Sequence, residues 1–432
     1  MSDTDIQQRI RDEVAALRPY ADAFGVERLR DGSWFNEFIR AMLQQHVAEV
    51  EAGGGMAFYT TRYPGLSHTE IMDRLTNDAT TAATWAGGAS GVATTVTLAA
   101  AFATAGVSLL AAPAVASAVI AELLYTALLQ VRLVYDLARL HDYPIHIDAP
   151  EDLYKIFALT YGVVYTDDLP AAAVTQLSPE SARSFVRALV HDNAAAVHQE
   201  AMQRMGPELG RGIVWRSLMS NVVPVVGSAG WNYVATMHMA DVARRELRAL
   251  SSLRNAALEL VQSVPAGEGA LLLAVEAMLV VVTADNQFDA HEQEVFRWIV
   301  RSIELPPDVE AQIDAWPVTL DVAALAAQIA ARNAPAWKAR LAASLLLAAA
   351  ADGTSVESEQ AALAELLAAC GHPLDPAVLA ERVALFSRPP TVTEQAGESL
   401  MQASGDAARG IVNTGRALGM ATWALLRRRG QG

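Results

Sequence analysis

Acidic residues recur at the same spacing at two places in the C-terminal half of this sequence. In each copy an Asp follows an apolar segment and a Glu stands seven positions later, Asp285 with Glu292 and Asp352 with Glu359. If each Asp ends one helix and each Glu begins the next, the two carboxylates share one end of a helical hairpin. Two such ends could together supply four or more carboxylate oxygens, which are the ligands that Ca²⁺ and Mg²⁺ prefer.

Capping and turn formation explain the same residues without a metal. A Glu in the first turn of a helix is favoured by the helix dipole, and Asp-Gly, as at Asp352-Gly353, is common in turns. The spacing is also not that of an EF-hand loop, which places its ligands at alternate positions. A divalent-cation site and a pair of capped turns are therefore both open interpretations.

A second polar cluster lies in the middle of the chain, at residues 141–148. It contains two His and two Asp, residue types that can bind a transition metal or support hydrolysis. The spacing places no pair of ligands on one helix face, however, and Pro144 requires an extended turn. Asp148, just before Pro150 and Glu151, is better suited to capping the next helix.

The sequence contains none of the common catalytic motifs. It has no Gly-x-Ser-x-Gly elbow, no His-Glu-x-x-His helix and no phosphate-binding Gly loop ahead of a Lys. The glycines at 87, 88 and 91 follow no strand and precede no Lys. Cys370 stands among Ala and Leu, which is typical of a buried small hydrophobe. We therefore expect that the protein is not an enzyme.

Composition limits the class of protein further. A chain of 432 residues exceeds one typical core and predicts two or three domains. A single Cys excludes a disulfide framework and suits a reducing compartment. The polar, acidic start at residues 1–5 predicts that there is no signal peptide, so we expect a cytoplasmic protein. A net charge of −16 argues against a nucleic-acid partner.

The pattern of apolar residues predicts an all-α fold. Apolar residues recur every three or four positions, β-branched alternation is scarce, and good helix formers dominate. Residues 68–140 predict a long helical run with breaks near Gly106 and Pro113, ending at the turn that contains Pro144. Residues 217–240, which contain Pro224 and two Gly, predict a broken or kinked pair of helices.

One segment, residues 79–121, carries no charged side chain at all. It is long enough for a helical hairpin across a bilayer, which needs about 20 apolar residues per helix. Small residues recur every four positions from Gly87 to Ala103 and would allow two helices to approach closely, in a membrane or in a soluble core. If residues 107–131 spanned the bilayer, Glu122 would cost about 3 kcal/mol, so an edge position in a soluble helical domain is simpler.

The C-terminal tail is the second candidate for membrane contact. Residues 410–426 predict a short apolar helix that ends in three consecutive Arg, which could lie in a lipid headgroup layer. A docked helix with a solvated Arg cluster explains this pattern equally well. The candidate membrane-contact residues of both segments are Gly87, Gly91, Phe102, Leu109, Leu110, Trp423, Arg427, Arg428 and Arg429.

Residues 56–262 resemble the EcsC family of bacterial proteins. The resemblance rests on the Ala/Gly-rich run at 87–121, the helix at 131–140, and the turn at 224–227 with Asn232. It implies a helical, membrane-associated accessory protein without a defined catalytic role. The family is linked by name to the regulation of a membrane transporter.

Residues 266–386 resemble a TerB-type domain, the helical module named for tellurite resistance. The resemblance rests on the Ala-Asp-Gly/Asn…Glu pattern, present twice, with Asn286 in place of the usual Gly in the first copy. It implies an acidic cluster that binds divalent metal, Ca²⁺ or Mg²⁺, and a role in stress response at the membrane. By position, the candidate ligands are Asp285, Asp289, Glu292, Glu294, Asp352, Glu357 and Glu359.

Together these patterns predict four segments: amphipathic helices at 1–55, the EcsC-like domain at 56–262, the TerB-like domain at 266–386, and the tail at 387–432. We expect a non-enzymatic bacterial accessory or scaffold protein, related to stress response or transport. Its predicted partners are membrane lipid and a membrane-bound protein complex, and it would associate peripherally with the inner membrane. The alternatives are a membrane-inserting effector that uses residues 79–121, a carrier of lipid or another hydrophobic ligand, and, least favoured, a metal-dependent hydrolase.

Overall fold

The structure is a computed structural model. It describes residues 34–103, 113–161, 178–190, 225–265, 269–284, 290–302 and 309–386, together with a few positions between 8 and 20. Helices make up 81% of this part, and none of it is in a strand, so the predicted all-α class is confirmed.

Fourteen helices lie in the part of the chain between residues 34 and 386 that the structure describes. Their bounds are α1 Trp34–Ala52, α2 Met56–Arg62, α3 His68–Ala103, α4 Pro113–Leu140, α5 Pro150–Tyr161, α6 Pro179–Val190, α7 Val225–Ser263, α8 Ala270–Val282, α9 Ala290–Arg301, α10 Val309–Ala315, α11 Val322–Ala331, α12 Pro335–Ala348, α13 Glu357–Cys370 and α14 Pro376–Phe386.

The chain forms two compact units. Unit 1 contains residues 1–134, 203–242 and 390–432, and unit 2 contains residues 135–202 and 243–389. Residues 135–202, predicted as part of the EcsC-like segment, thus belong to the same unit as residues 266–386, predicted as TerB-like. The predicted domain boundaries themselves stay a prediction.

In unit 1, local sequence signals set the helix ends. Gly54 and Gly55 have φ values of +84° and +62°, a conformation that favours glycine, and they turn the chain between α1 and α2. Ser67 and Glu70 form a capping box at the start of α3: the Ser67 amide donates to Glu70 Oε2 at 2.8 Å, and the Glu70 amide donates to Ser67 Oγ at 3.3 Å.

Polar side chains join three long helices within unit 1. Asn232 Nδ2 of α7 donates to the carbonyl oxygen of Ala83 in α3 at 3.2 Å. Gln130 Nε2 of α4 lies 3.2 Å from Thr236 Oγ1 of α7, and the Thr236 side chain is fully buried. These contacts fix the register of α7 against both α3 and α4.

The core of unit 2 is built around α8. Nearly every residue of this helix is buried, as expected for a helix that is apolar all round. It packs against α11, α12 and α13, and α12 also packs against α14. A second group of helices consists of α6, α9 and α10, in which Phe185 meets Phe296 edge to face at 5.4 Å.

The acidic repeat corresponds to a repeat of helix positions. Helix α9 begins at Ala290 and α13 begins at Glu357, the same sixty-seven-residue offset that separates the two Asp…Glu patterns. Helices α12 and α13 pack together, as predicted for the second hairpin. Helix α7 runs unbroken through Gly227 and Gly230, so no break lies at these two glycines. Pro224, the other residue on which the predicted break rested, lies outside the described residues.

Candidate functional site

Three of the acidic residues of the repeat that the structure describes are buried or accept hydrogen bonds from the protein. Glu359 is buried at the third position of α13, and its Oε2 accepts from the Val356 amide at 3.1 Å. Glu292 occupies the equivalent position in α9 and is also buried. Asp352 accepts from the amide of Thr354 at 2.8 Å and from its hydroxyl. Glu359 thus acts in part as a cap and Asp352 as a turn residue.

The described residues do not settle the predicted metal site. Asp285 and Asp289 lie outside the described residues. Among those that are described, no group of three or more His, Cys, Asp or Glu side chains is arranged to hold a metal ion. Glu357, the remaining candidate, is exposed at the first position of α13. The divalent-metal site therefore stays a prediction.

Glu294 lies instead at the centre of a buried network of charged and polar groups in unit 2. Lys155 Nζ donates to Glu294 Oε1 at 2.7 Å and to Tyr143 Oη at 2.9 Å. The Tyr143 hydroxyl donates to the same Glu294 oxygen at 2.8 Å, and Arg297 Nη1 lies 3.5 Å from Glu294 Oε2. Both carboxylate oxygens of Glu294 therefore have partners from the protein.

Three segments of unit 2 position this network. Tyr143 lies in the turn after α4. In this turn the Tyr143 amide donates to Ala138 O at 2.9 Å and Asp142 adopts a φ of +54°. Lys155 lies on α5, while Glu294 and Arg297 are three residues apart on α9 and therefore share one face of it. The network links the turn after α4, helix α5 and helix α9.

Burial and the neighbouring charges shift the pKa values of Glu294 and Tyr143. Burial raises the pKa of Glu294, but the nearby charges of Lys155 and Arg297 outweigh it, so the pKa lies below its usual value of 4.5. Burial, followed by the Glu294 charge, raises the pKa of Tyr143. At neutral pH the network therefore holds a carboxylate and a neutral phenol.

Asp152 adds a second buried carboxyl group close to Lys155. Its Oδ2 accepts from the His146 amide at 2.9 Å, whereas its Oδ1 is buried and has no hydrogen-bond partner. Burial raises the pKa of Asp152, against the opposing effect of the Lys155 charge. Asp152 thus ties the turn before α5 to the first turn of that helix, and the cap predicted at Asp148 stays a prediction.

Aromatic and guanidinium groups cover one side of the network. The Trp298 ring meets the Tyr143 ring edge to face at 5.9 Å. The guanidinium carbons of Arg254 and Arg301 lie 5.4 and 5.5 Å from the Trp298 ring centre, and Arg301 also pairs with Glu151. Because Lys155, Glu294 and Tyr143 are all almost fully buried, the network joins the turn after α4, helix α5 and helix α9 within the core of unit 2.

Unit 1 presents a different feature: besides Tyr20 near the start of the chain, one large aromatic side chain on each of α3 and α7 is in contact with solvent. Trp85 on α3 is 41% exposed and Tyr233 on α7 is 48% exposed. They lie on the helices that the Asn232–Ala83 hydrogen bond joins. Beyond Trp85, α3 continues to Ala103 without a charged residue, and residues 225–240 of α7 likewise contain no Asp, Glu, Lys or Arg.

The predicted membrane-contact residues fall where the structure describes little or nothing. The backbone of Gly87, Gly91 and Phe102 is helical and belongs to α3, but their side-chain surroundings lie outside the described part. The others, Leu109, Leu110, Trp423, Arg427, Arg428 and Arg429, lie outside the described residues altogether. Within the part of the chain that is described, no helix is long and apolar enough to cross a membrane.

Sequence reasoning missed the partners of Glu294. Lys155 is one of only two lysines in the chain, and it stands in the apolar context Lys155-Ile156-Phe157-Ala158. A rare charge within an apolar run is the signal that could have marked it as buried and paired. Its partner could not be named, because Glu294 is 139 positions away in the sequence.

No family model, no curated protein and no solved structure matches this chain. The resemblances to the EcsC family and to TerB-type domains therefore stay predictions.

Proposed function

We propose that the protein is a non-enzymatic helical scaffold that binds peripherally to a membrane through unit 1. The observation that carries this proposal is the exposure of Trp85 and Tyr233 within the charge-free portions of α3 and α7. Trp and Tyr are enriched at membrane interfaces, because their rings combine an apolar body with a polar edge.

Transfer of the exposed Trp85 and Tyr233 side chains from water to lipid is favourable. An aromatic side chain carries about 150–250 Å² of surface, and nearly half of each ring system is exposed here. At about 25 cal/mol per Å², removing that area from water contributes roughly 2 kcal/mol for each side chain. Two such anchors give weak, reversible attachment, which is the behaviour expected of a peripheral protein.

Charge-free sequence next to these two side chains supports the same proposal. Headgroups and lipid tails tolerate Ala, Thr, Ser and Gly, whereas a charged side chain below the headgroups is costly. Residues 79–121 contain no such charge, and Glu122 is the first charged residue after them. In the proposed function, the scaffold holds a membrane-bound protein complex, while unit 2 carries the metal-binding module expected from the acidic repeat.

Sedimentation with liposomes tests the proposal. The full chain is mixed with vesicles that contain anionic lipid, and the bound fraction is compared with that of Trp85→Ser combined with Tyr233→Ser. We expect the double variant to bind several-fold less. Leu66→Ser is the matched control, since Leu66 is 40% exposed on the same unit but lies outside the charge-free run. Equal binding by the double variant and the wild type would refute the role of Trp85 and Tyr233 in membrane binding.

Extraction of membranes from expressing cells separates the proposal from its alternatives. Release by carbonate supports peripheral binding, and retention until detergent is added supports an inserting protein that uses residues 79–121. Leakage of vesicle contents would favour the effector alternative, and lipid that co-purifies with the protein would favour the carrier. Deletion of residues 410–432 tests whether the tail provides the attachment instead.

A further inference from the structure

The exposed aromatic side chains of α3 and α7 stand beside a contact between the two helices. Asn232 Nδ2 of α7 donates to the carbonyl oxygen of Ala83 in α3 at 3.2 Å. Trp85 is two positions after Ala83 and Tyr233 directly follows Asn232, so both lie within one helical turn of this hydrogen bond. We call Trp85 and Tyr233 the aromatic pair. The charges near this pair determine which lipids it can approach.

On α3, the charged residue nearest to Trp85 in the sequence is acidic. Asp78 stands seven positions before Trp85, about 10 Å along the helix axis, and its side chain is 43% exposed. The nearest basic residue of α3 is Arg74, eleven positions or about 16 Å from Trp85. Arg74 Nε pairs with Asp78 Oδ1 at 3.2 Å, and Glu70 and Asp73 add two further exposed carboxylates. The charged start of α3 is therefore acidic.

The same order of charges is found on α7. Asp241 stands eight positions after Tyr233, about 12 Å along the axis, and Arg244, the first basic residue, stands eleven positions after it, about 16 Å away. In the other direction, α7 has no charged residue back to Val225, and α3 has none from Trp85 to Ala103. At physiological ionic strength the Debye length is about 8 Å, so a cation twice as far away adds little attraction at the aromatic pair.

Helix α4, which also contacts α7, presents an uncharged face to it. Gln130 Nε2 of α4 lies 3.2 Å from Thr236 Oγ1, and Thr236 is one turn after Tyr233. Arg132 is the basic residue closest to Gln130 in the sequence of α4, but residues two positions apart do not share a helix face. The positions that do share the face of Gln130 are Thr126, Ala127, Leu133 and Val134. On this face, the described part of α4 therefore carries no cation.

Two contributions strengthen the binding of a protein surface to lipid. One is burial of apolar area, and the other is attraction of basic residues to anionic headgroups. Each basic residue near an anionic surface strengthens binding roughly fivefold. The aromatic pair has the first contribution and lacks the second, and Thr81 and Ala82, one turn before Trp85, are small and add little apolar area. A surface of this kind binds best where hydrocarbon is already exposed between headgroups, in strongly curved or loosely packed bilayers.

We propose that the aromatic pair selects electrically neutral, loosely packed lipid and takes no part in recognising anionic headgroups. This inference rests on the proposed membrane attachment of unit 1 and names the class of lipid that unit 1 contacts. The net charge of −16 acts in the same direction, because an anionic membrane repels the chain as a whole at low ionic strength. The two rings enter the boundary between headgroups and acyl chains, where Trp and Tyr are enriched in membrane proteins.

Sedimentation of the full chain with vesicles that differ in curvature and in charge tests this inference. Small sonicated and large extruded vesicles are prepared from dioleoyl phosphatidylcholine, and from the same lipid with part of it replaced by phosphatidylglycerol. At equal accessible lipid, we expect several-fold more binding to the small vesicles, because curvature opens gaps between headgroups. Phosphatidylglycerol should not strengthen binding, and it should weaken binding at about 0.01 M salt, where the Debye length is about 30 Å.

Thr81→Lys is the matched variant, because it adds the cation that the surface lacks. Thr81 is half buried and lies one turn before Trp85, on the same side of α3. A Lys at this position should raise binding to phosphatidylglycerol vesicles about fivefold at low salt, and salt at about 1 M should remove the gain. Absence of this gain would show that lipid contacts another part of the chain and would overturn the inference.

A variant in which Arg427, Arg428 and Arg429 are changed to Gln separates the tail from the aromatic pair. Stronger binding to phosphatidylglycerol that persists in this variant, or equal binding to small and large vesicles, would overturn the inference. A preference for phosphatidylglycerol that this variant abolishes comes from the tail and supports a neutral aromatic pair. If Trp85→Ser combined with Tyr233→Ser binds every vesicle as well as the wild type, or if no vesicle is bound, the proposed function fails as well.

Discussion

Removing the ammonium group from the buried network should destabilise unit 2 strongly. In Lys155→Met the side chain keeps its approximate volume, but Glu294 is left buried without its closest counter-charge. The charges are 2.7 Å apart, which corresponds to an attraction of about 6 kcal/mol at an effective dielectric constant of about 20. Desolvation of the two ions offsets most of this attraction in the wild type.

The expected loss follows from what remains around Glu294. Breaking a buried pair by removing one partner typically costs about 3–5 kcal/mol. Arg297 and the Tyr143 hydroxyl stay in contact with the carboxylate, so we expect the lower end, about 3 kcal/mol. For a unit of about 150–250 residues this lowers Tm by roughly 6–12 °C. Urea denaturation followed by circular dichroism measures the change.

The other lysine of the chain provides the matched control. Lys338→Met removes an ammonium group that donates to Ala330 O at the surface, and it should cost less than about 1 kcal/mol. Combining Lys155→Met with Glu294→Gln removes both charges and should recover more than half of the loss. Equal stability of Lys155→Met and Lys338→Met, or no recovery in the double variant, would refute the ion-pair argument.

The pH dependence gives an independent test of the same pair. In the wild type, the pKa of folded Glu294 lies below 4.5, so the stabilisation it provides is present above that pH and is lost as pH falls through the folded pKa. In Lys155→Met, burial is less opposed and the folded pKa should rise. The variant should then gain stability relative to wild type as pH is lowered from 7 toward 4.5.

Three further predictions concern other side chains of unit 2. The Leu320 amide donates to Glu276 Oε1 at 2.8 Å, and Glu276→Leu removes this acceptor. The variant should lower the free energy of unfolding by about 3 kcal/mol and speed hydrogen exchange at that amide. Unchanged exchange would contradict this role of Glu276. Burial raises the pKa of the Cys370 thiol to about 11, so thiol reagents at pH 8 should label the folded chain far more slowly than the chain in urea. Burial raises the pKa of Glu246, but the hydrogen bond with His291 and the charges of His291 and Arg245 together lower it below 4.5. The stabilisation that Glu246 provides should therefore be lost as pH falls below 4.5, and His291→Gln should flatten that dependence.

Local signals in the sequence predicted the helices well. The end of α4 before Pro144, the turn of glycines after α1 and the paired starts of α9 and α13 all follow from caps, turn residues and apolar periodicity. The exception is α7. Each Gly costs about 1 kcal/mol in a helix, but α7 is 39 residues long and is held by Asn232 and Thr236, so tertiary contacts outweigh two glycines.

The polar centre of unit 2 could not be predicted in the same way. It joins Glu294 to Tyr143 and Lys155, which are more than 130 positions away in the sequence. The periodicity of apolar residues indicates which face of a helix is buried, but not which residues of other helices pack against that face. Glu294 itself was singled out from the sequence, but as a metal ligand and without its partners Lys155 and Tyr143. An acidic residue within a repeat suggests a cation, and the cation that the structure provides is the ammonium of Lys155.

The ion pair with Lys155 also distinguishes Glu294 from the other candidate metal ligands. A carboxylate that accepts from Lys155, Tyr143 and Arg297 would have to exchange a charged pair for a metal ion, at the cost of leaving Lys155 buried and unpaired. If the acidic repeat binds Ca²⁺ or Mg²⁺, calorimetric titration should therefore give the same affinity for wild type and Glu294→Gln, although the variant is less stable. Asp352→Asn, whose carboxylate lies in an exposed turn, should weaken binding tenfold or more. A loss of affinity in Glu294→Gln, with Asp352→Asn unaffected, would show that metal and Lys155 compete for the same carboxylate.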